Sequence, residues 1–492
     1  MIYPFMPWLP DMDGLSQDAA QEALNVIPTY RGYRPFSGFG AVASAITARA
    51  QGAISVRDLA GNIFNFCGDA TKLYRMASDG LSWNDVTRLA GGAYAAPTGG
   101  WWVFWQFGTY IFAYNGVDAL QSFNLSSSTN FAAAAGSPPL ATFGMTVRDF
   151  AVALRVVGAS NRAHWSGIDD ATTWVASATT MSDSQDFPDG GHIMGGVGGE
   201  YGIILQERAI RRMTFTGPPT VFAFDKITQN LGVRAEGSIN AYEDLVFFYA
   251  DDGMYMLRGG VEIVPIGSEK VDRFLESDLD GAYLYRVTSA IDPINKIYVM
   301  GYASTSASAG TPDSAIIYHW PTGKWSRAEF THEMIYSAAT QSGLTLDGLD
   351  TISASIDALL HSLDSRILTG AGRLAMAGIN SSHQSGFFTA ANLAATIETG
   401  DAQLTPGRKS LVRQVRPIIQ GTSVTPSVTI RRRNHMHEAL TDETAVAINS
   451  VGICPVRSNA RFHRAKVTIS AASTWQHAIG VGDIKVSAMG ER

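Results

Sequence analysis

Three groups of aspartates are close enough in the sequence to act as paired carboxylates: Asp169-Asp170, Asp251-Asp252, and the series Asp183, Asp186 and Asp189. Glycoside hydrolysis requires two carboxylates that flank the scissile bond, and the third group could instead offer oxygen ligands to Ca²⁺. Each group, however, lies in a predicted turn between strands, where an aspartate accepts hydrogen bonds from backbone amides. We therefore predict turn residues here, with no catalytic residue, no metal site and no cofactor.

Two further motifs are weaker. His435 and His437 would share one face of a strand and could form a metal site with His463 or His477, but we favour a surface or interface pair. The glycine-dense stretch 190–199 lacks the Gly-Lys-Ser/Thr ending of a phosphate loop, and strands rather than a βαβ unit surround it. We interpret this stretch as a tight turn between closely approaching backbones. The sequence also has no Gly-x-Ser-x-Gly elbow.

The strongest basic feature is a set of seven side chains near the carboxyl end: Arg408, Lys409, Arg413, Arg416, Arg431, Arg432 and Arg433. Strand alternation predicts Arg431 and Arg433 on one face, and Arg413 and Arg416 on opposite faces. These groups could contact a nucleic-acid phosphate backbone or an acidic partner surface. The alternative is a solvated or subunit-facing strand with intersubunit ion pairs. Replacing the three consecutive arginines with Ala is then expected to spare folding and to impair assembly or DNA retention.

Composition limits the class of protein. Of 492 residues, 37 are Lys or Arg and 44 are Asp or Glu, so charged residues make up 16% of the chain against roughly 25% in ordinary soluble domains. The 46% of hydrophobic residues excludes intrinsic disorder. We predict no membrane span and no signal peptide. Few charges suggest a surface that is buried against partners.

Short β-rich runs that end in Gly- or Asp-rich turns recur throughout the sequence. Comparable strands are centred near Leu73, Gln121, Trp165, Arg212, Met256, Ile317 and Leu360, and five of the six intervals are 43 to 48 residues. This is the period of roughly 40 to 50 residues that four-stranded propeller blades have. The sequence thus predicts an all-β fold with a β-propeller of six or seven blades.

Three of the predicted units end a turn with tryptophan, at Trp83, Trp174 and Trp325. Asp79 precedes the first of these indoles, and Asp169 and Asp170 precede the second. Such turns resemble the Asp-boxes of sialidase-type propellers, in which the motif is structural. We expect the aspartates to cap the turns and the indoles to pack between neighbouring sheets.

The ends of the chain differ from its middle. Residues 1–45 are rich in proline and are predicted to form an extended arm, with one short helix from Ser16 to Asn25. Residues 46–395 are assigned to the propeller, and 396–492 to an antiparallel, sandwich-like β-domain. The last 92 residues contain 13 Lys or Arg and 6 Asp or Glu, a net charge of +7, although the whole chain carries −7.

Several segments together resemble one family. They are Asn161–Ser166, Gly198–Gly202, Gln206–Ile210, Asp251–Tyr255, Ile266–Asp272, the arm segments Asn25–Pro28 and Gly32–Pro35, and the carboxyl-terminal segments Ala460–Arg464 and Trp475–Gly480. The chain is similar here to the β-propeller tail proteins of short-tailed bacteriophages, known as the nozzle, tail tubular protein B or packaged-DNA stabilisation protein.

This resemblance implies a structural protein of the virion tail, without enzymatic activity. It implies a homo-oligomeric ring, expected to be a hexamer, that lies below the portal and adaptor proteins and continues the DNA channel. Such a ring would retain the genome until ejection, without reading its sequence, and would hold fibres or other receptor-binding proteins. The alternatives are a sialidase-like propeller that acts on or binds glycans, with Arg148, Arg155, Arg208 and Arg234 as candidate ligands of the substrate, and a bacterial adhesin or kelch-like binding module.

Overall fold

The computed structural model of the chain describes residues 2–15, 18–340, 355, 357, 372–422 and 424–490. These residues contain forty β-strands, one α-helix (α1, Asp272–Asp278) and three 3-10 turns, at Glu236–Ser238, Gly281–Arg286 and Ser308–Gly310. The predicted all-β class is confirmed. The predicted strand near Leu360 lies outside the described residues.

Five short strands come first: β1 (Ile2–Pro4), β2 (Glu22–Leu24), β3 (Val26–Pro28), β4 (Tyr33–Pro35) and β5 (Gly40–Ala45). Four sheets of four antiparallel strands follow. Blade 1 comprises β6 (Gly52–Arg57), β7 (Ile63–Gly68), β8 (Leu73–Met76) and β9 (Trp83–Asp85). Blade 2 comprises β10 (Val103–Phe107), β11 (Tyr110–Tyr114), β12 (Gln121–Asn124) and β13 (Ala132–Ala133). Blade 3 comprises β14 (Ala141–Val147), β15 (Phe150–Val156), β16 (Ala159–Trp165) and β17 (Asp183–Asp186). Blade 4 comprises β18 (Ile193–Val197), β19 (Gly202–Gln206), β20 (Ala209–Gly217) and β21 (Val221–Gln229).

Three more blades complete the propeller, so the described chain has seven. Blade 5 comprises β22 (Asn240–Tyr242), β23 (Leu245–Ala250), β24 (Gly253–Arg258) and β25 (Glu262–Pro265). Blade 6 comprises β26 (Thr288–Asp292), β27 (Ile297–Tyr302), β28 (Ser314–His319) and β29 (Lys324–Glu329). Blade 7 begins with β30 (Met334–Ala339), β31 (Leu374–Ile379) and β32 (Gln384–Phe387).

The second strand of most blades is a continuous apolar run rather than an alternating one. In β15 the first five residues, Phe150 to Leu154, are all buried, and β19 and β27 are buried along their whole length. Neighbouring blades cover both faces of these strands, which removes the solvent-facing positions that would favour polar residues. These continuous apolar runs are therefore a consequence of blades packing face to face around the propeller axis.

The fourth strand of blade 7 comes from the other end of the chain. β5, within the range that the sequence assigned to the arm, pairs antiparallel with β32. The chain then passes directly into blade 1, and two buried carboxylates hold this passage: Asp69 accepts a hydrogen bond from Thr47 Oγ1 (2.9 Å), and Glu333 accepts one from the backbone N–H of Ala50 (3.1 Å). The propeller is thus closed by sequence-distant strands, which leaves no open edge at the junction.

The carboxyl-terminal strands form two sheets. They are β33 (Ala395–Glu398), β34 (Ser410–Gly421), β35 (Ser427–Arg433), β36 (Thr441–Asp442), β37 (Val446–Ala447), β38 (Ser458–Ala460), β39 (Phe462–Ile469) and β40 (Trp475–Ala488). The terminal sheet has the order β3-β4-β40-β34-β38, with β1 also paired to β40. The linked sheet has the order β33-β39-β35-β36, and β2 joins it to β29 of blade 6, so that ten strands form one continuous sheet.

The helix predicted from Ser16 to Asn25 is wrong in its described part, while Ser16 itself lies outside the described residues. Glu22–Leu24 is a strand that pairs with β33 on one side and with β29 on the other. Glu22 also accepts hydrogen bonds from both Nε (2.8 Å) and Nη2 (3.1 Å) of Arg327. Pairing on two edges satisfies the backbone, which outweighs a local helical preference.

One hydrophobic core joins the propeller to the sandwich. Phe247 of blade 5, Tyr298 and Trp325 of blade 6, and Val467 and Val481 of the two carboxyl-terminal sheets are all buried in the same cluster. The sandwich is therefore packed against blades 5 and 6 through a continuous core.

Candidate functional site

The structure places all three tryptophans of the predicted turns at contacts between blades. Trp83 is half-buried at the end of blade 1, and its Nε1 donates to Ser385 Oγ of blade 7 (3.2 Å). Trp174 is buried among side chains of blades 2 and 3, including Trp105 and Ala153. The fully buried Trp325 donates from Nε1 to the carbonyl of Ile266, which follows blade 5 (3.0 Å).

The aspartates of these turns hold backbone amides. Asp79 accepts from the N–H of Leu81 (2.8 Å), and Asp170 accepts from the N–H and the hydroxyl of Thr172 (2.8 and 2.6 Å). These hydrogen bonds lower the pKa of the Asp170 carboxyl. Asp169 has a φ of 52°, so it supplies the left-handed residue of the turn in which Ala171 takes the usual glycine position.

The three consecutive arginines of β35 are engaged within the chain. Arg431 pairs with Glu398 (2.9 Å) and Asp442 (2.7 Å), Arg432 pairs with Glu443 (2.5 Å), and Arg433 pairs with Asp401. Arg464, opposite Arg431 on β39, reaches both Glu398 (3.4 Å) and Asp401 (2.9 Å). Glu398 and Asp401 are almost completely buried, so these pairs are part of the fold.

The amino-terminal segment covers this ionic cluster. The N–H of Asp401 donates to the carbonyl of Gly14 (2.8 Å). A Cβ added at Gly14 would lie 2.4 Å from Nη2 of Arg464 and 2.7 Å from Oδ2 of Asp401, so only glycine fits here. The sequence reveals the arginines but not their partners, because Glu398 ends strand β33 and Asp401 follows it, more than thirty positions before the arginines.

The placement of Arg413 and Arg416 on opposite faces is wrong. Register shifts in β34 on both sides of Gln414 break the alternation, so Val412, Val415 and Pro417 point inward while Arg413 and Arg416 both lie outward. Arg413 is exposed, and Arg416 pairs with Asp483 (2.8 Å). Bulges of this kind cannot be read from a period-two pattern.

Arg408 is exposed and Lys409 half-buried just before this strand. With Arg413 they form a basic surface around the start of β34, called here the basic edge. Arg408 and Arg413 are exposed, whereas Arg431 and Arg433 of β35 bind the buried Glu398 and Asp401. Substituting the basic edge therefore removes less buried structure than substituting the arginines of β35.

A channel of about 530 Å³ runs along the propeller axis. The first strand of every blade lines it, through Ile54, Val103, Phe143, Gly195, Asn240, Ser289 and Ser337. Glu236 also borders the channel and pairs with Arg155 of blade 3; burial raises the pKa of this carboxyl, and the guanidinium opposes that rise. Trp101 Nε1 has no hydrogen-bond partner among the described residues. The volume is that of a small-molecule pocket.

The arginines that a sialidase-like site would need have separate partners. Arg148 pairs with Glu200 (3.5 Å), Arg155 with Glu236, and Arg234 with Glu276 (2.6 Å). Arg208 lies in the turn between β19 and β20. The predicted turn at Asp183 and Asp186 is wrong, because both residues lie in strand β17, paired with β16. Asp186 binds Arg162 (2.6 Å), and Asp189 binds Arg211 and Lys226.

The histidines considered as metal ligands lie in different surroundings. His435 and His437 stack on each other in a turn after β35, with ring centroids 5.5 Å apart. His463 is buried within the sandwich, and His477 contacts Thr29 Oγ1 (3.0 Å). Across the described residues, no three His, Cys, Asp or Glu side chains form a group that could hold a metal ion.

Asp272 has a partly buried carboxyl group for which the sequence gives no signal. It accepts a hydrogen bond from the N–H of Met254 (3.0 Å), and its burial, with the charges of Asp11 and Asp252 nearby, raises its pKa to about 6. A Cβ added at Gly253 or at Gly267 would meet this carboxylate at 2.2 or 2.0 Å, which explains both glycines.

We expect Asp272→Asn to stabilise the protein at pH 7.5 by about 1 kcal/mol, a value reduced for partial exposure from the full effect of such a pKa shift. The folded pKa lies above the unfolded one, so wild-type stability falls as the pH rises from about 4 to 6. The variant should lack this decline. Urea unfolding at several pH values tests it, with the exposed Asp225→Asn as control; an unchanged pH profile would contradict the prediction.

No protein-family model matches the chain, and no curated protein matches it. Among solved structures, it is similar to the extracellular domain of a hybrid two-component system from B. thetaiotaomicron, at 10% identity and a TM-score of 0.41, over 79% of this chain and 44% of that one. It thus spans less than half the length of that protein. It is also similar to YCF48 bound to D1 peptide, at 8% identity and a TM-score of 0.36, over 61% of this chain and 86% of that one. A chain of the Mitotic Checkpoint Complex is similar at 9% identity and a TM-score of 0.37, over 71% of this chain and 91% of that one.

Identities of this size concern the fold alone, and the propeller assignment rests on the seven sheets described above. No helix among the described residues is long and apolar enough to cross a membrane.

Proposed function

We propose that the chain is a structural subunit of the tail of a short-tailed bacteriophage, one copy of a ring below the portal and adaptor. The observation that carries this proposal is the continuous ten-stranded sheet, which together with the shared core fixes the sandwich against blades 5 and 6. A subunit that holds a pressurised genome needs such rigidity. The resemblance of the turn and packing motifs to the tail nozzle family adds support.

The DNA passage of such a ring would lie on the axis of the ring, not on that of the propeller. A duplex is wider than its major groove of about 12 Å, so a bore that admitted it would have to be far larger than this channel of about 530 Å³. Each subunit would then present an outer surface to the DNA. The acidic remainder of the chain would repel the phosphates, and the basic edge (Arg408, Lys409 and Arg413) would contact DNA or a neighbouring protein.

Native mass spectrometry of the purified chain, across a range of concentrations, tests the proposed ring. We expect a closed species of six copies of the 52.8 kDa chain, and sixfold rings in negative-stain images of phage tails labelled for this protein. A monomer at every concentration, together with absence from purified tails, would overturn the proposal. Turnover of fluorogenic sialosides or related glycosides would favour the glycan-acting alternative instead.

A matched pair of variants tests the basic edge. We expect Arg408→Gln/Lys409→Gln/Arg413→Gln to leave the unfolding midpoint unchanged and to lower the slope of log affinity against log salt for duplex DNA by roughly 2 to 3, about 0.9 per lost phosphate contact. Arg258→Gln on blade 5 is the control, because its side chain is also exposed. A slope unaffected by the triple substitution would exclude DNA contact at this edge.

A further inference from the structure

A second cavity lies inside the carboxyl-terminal sandwich and has a volume of about 280 Å³. Aliphatic side chains from the two facing sheets form most of its wall: Val412, Val415, Val481 and Ile484 from the terminal sheet, and Ile430 and Ala465 from the linked sheet. Tyr3 and Met6 of the amino-terminal segment also line it. It shares no lining residue with the propeller channel, and it borders the ionic cluster through Arg464.

His463 is the polar side chain directed into this cavity. It lies on the same face of β39 as Ala465 and Val467, which point into the core, whereas Arg464 points to the other face and binds Asp401. His463 is 4% exposed, and neither ring nitrogen makes a hydrogen bond of normal geometry with the described residues, although the backbone of Ser458 lies close to the ring. An unpaired buried polar group costs about 1–3 kcal/mol, so a partner inside the cavity is favoured.

The imidazole is uncharged at neutral pH. Burial lowers its pKa to about 4, and the backbone of Ser458 acts in the opposite direction but more weakly. A neutral imidazole has one N–H donor and one lone-pair acceptor. A hydroxyl group, which both donates and accepts, matches either nitrogen.

We propose that this cavity binds one small uncharged molecule with an apolar body and a hydroxyl group that hydrogen-bonds to His463. The volume is nearly twice the roughly 150 Å³ of an engineered cavity that holds benzene, so an aromatic ring with a substituent fits. An anionic head group is disfavoured, because Arg464, which also lines the cavity, is already bound to Glu398 and Asp401, and the carboxylate of Asp18 at the wall would repel it.

Isothermal titration of the full chain with phenol, toluene and benzoate tests the proposal. We expect saturable binding of phenol, about tenfold tighter than that of toluene because of one additional hydrogen bond, and no saturable binding of benzoate. In His463→Leu the preference for phenol over toluene should disappear. Saturable benzoate binding, or equal affinities for phenol and toluene in the wild type, would overturn the assignment.

Variants that fill the cavity test whether phenol and toluene bind inside it. Ala465→Leu places three additional carbons in the cavity and should abolish binding of phenol and toluene, whereas Ala133→Leu, on an exposed strand of blade 2, should leave both unchanged. Val415→Leu serves the same purpose if Ala465→Leu does not fold. Phenol binding that survives in the folded, filled variant would overturn the proposal. So would its absence in the wild type, which would mean that the cavity holds only water.

Discussion

Asp401→Ala is expected to lower the free energy of unfolding by about 3–5 kcal/mol, because it leaves two buried guanidiniums without their shared carboxylate. Asp401 is fully buried and binds both Arg433 and Arg464. Removing one partner of a buried ion pair costs far more than the pair contributes relative to apolar residues, since the remaining charge cannot regain its hydration.

Urea unfolding followed by tryptophan fluorescence and by circular dichroism measures this loss. Asp442→Ala is the matched control, because Asp442 also binds an arginine of β35 but is half-exposed. We expect that control to cost less than about 1 kcal/mol. Similar losses of unfolding free energy in the two variants would contradict the prediction that burial makes the loss of the Asp401 carboxylate more destabilising. By the same reasoning, replacing Arg431, Arg432 and Arg433 together with Ala should destabilise the fold, in contrast to the expectation from the sequence.

Trp325→Ala is expected to lower the free energy of unfolding by about 3–5 kcal/mol, because it empties a fully buried site in the core that propeller and sandwich share. The substitution also leaves the carbonyl of Ile266 without its donor. Loss of the ring removes its contact with Tyr318, at 4.7 Å between centroids. Both blades and sandwich should therefore be affected.

Trp83→Ala is the control for the second prediction. Trp83 belongs to the same class of turn but is half-buried, and its Nε1 bonds to a hydroxyl rather than to a buried carbonyl. We expect Trp83→Ala to lower the free energy of unfolding by less than half as much as Trp325→Ala. Thermal unfolding of both variants provides the comparison, and the reverse ranking would refute this account of the indoles.

The fold class could be predicted because its determinants are local. The apolar run of β15 and the turn at Asp79 are visible in a few consecutive residues, and they recur with the period of a blade. The short strand Glu22–Leu24 could not be predicted, because its pairing partners lie about 300 and 375 positions later. Nothing in its own sequence distinguishes it from a helix.

The candidate site residues could likewise be predicted only where their signal is local in the sequence. The sequence identified the basic residues, but the burial of Glu398 and Asp401 depends on the amino-terminal segment that covers them. His463 was considered as a metal ligand from its residue type alone. Its actual environment, an apolar cavity between two sheets, required knowledge of which strands face each other.

The pairing of β1 with β40 constrains how the protein can be made. Ile2 faces Gly482, so β1 leaves the ribosome long before its partner strand has been synthesised. The same delay applies to β2, which waits for β33, and to β4, which waits for β40. Such high contact order slows folding and leaves strand edges open to aggregation during translation. Carboxyl-terminal truncations should therefore yield insoluble chains rather than shorter propellers.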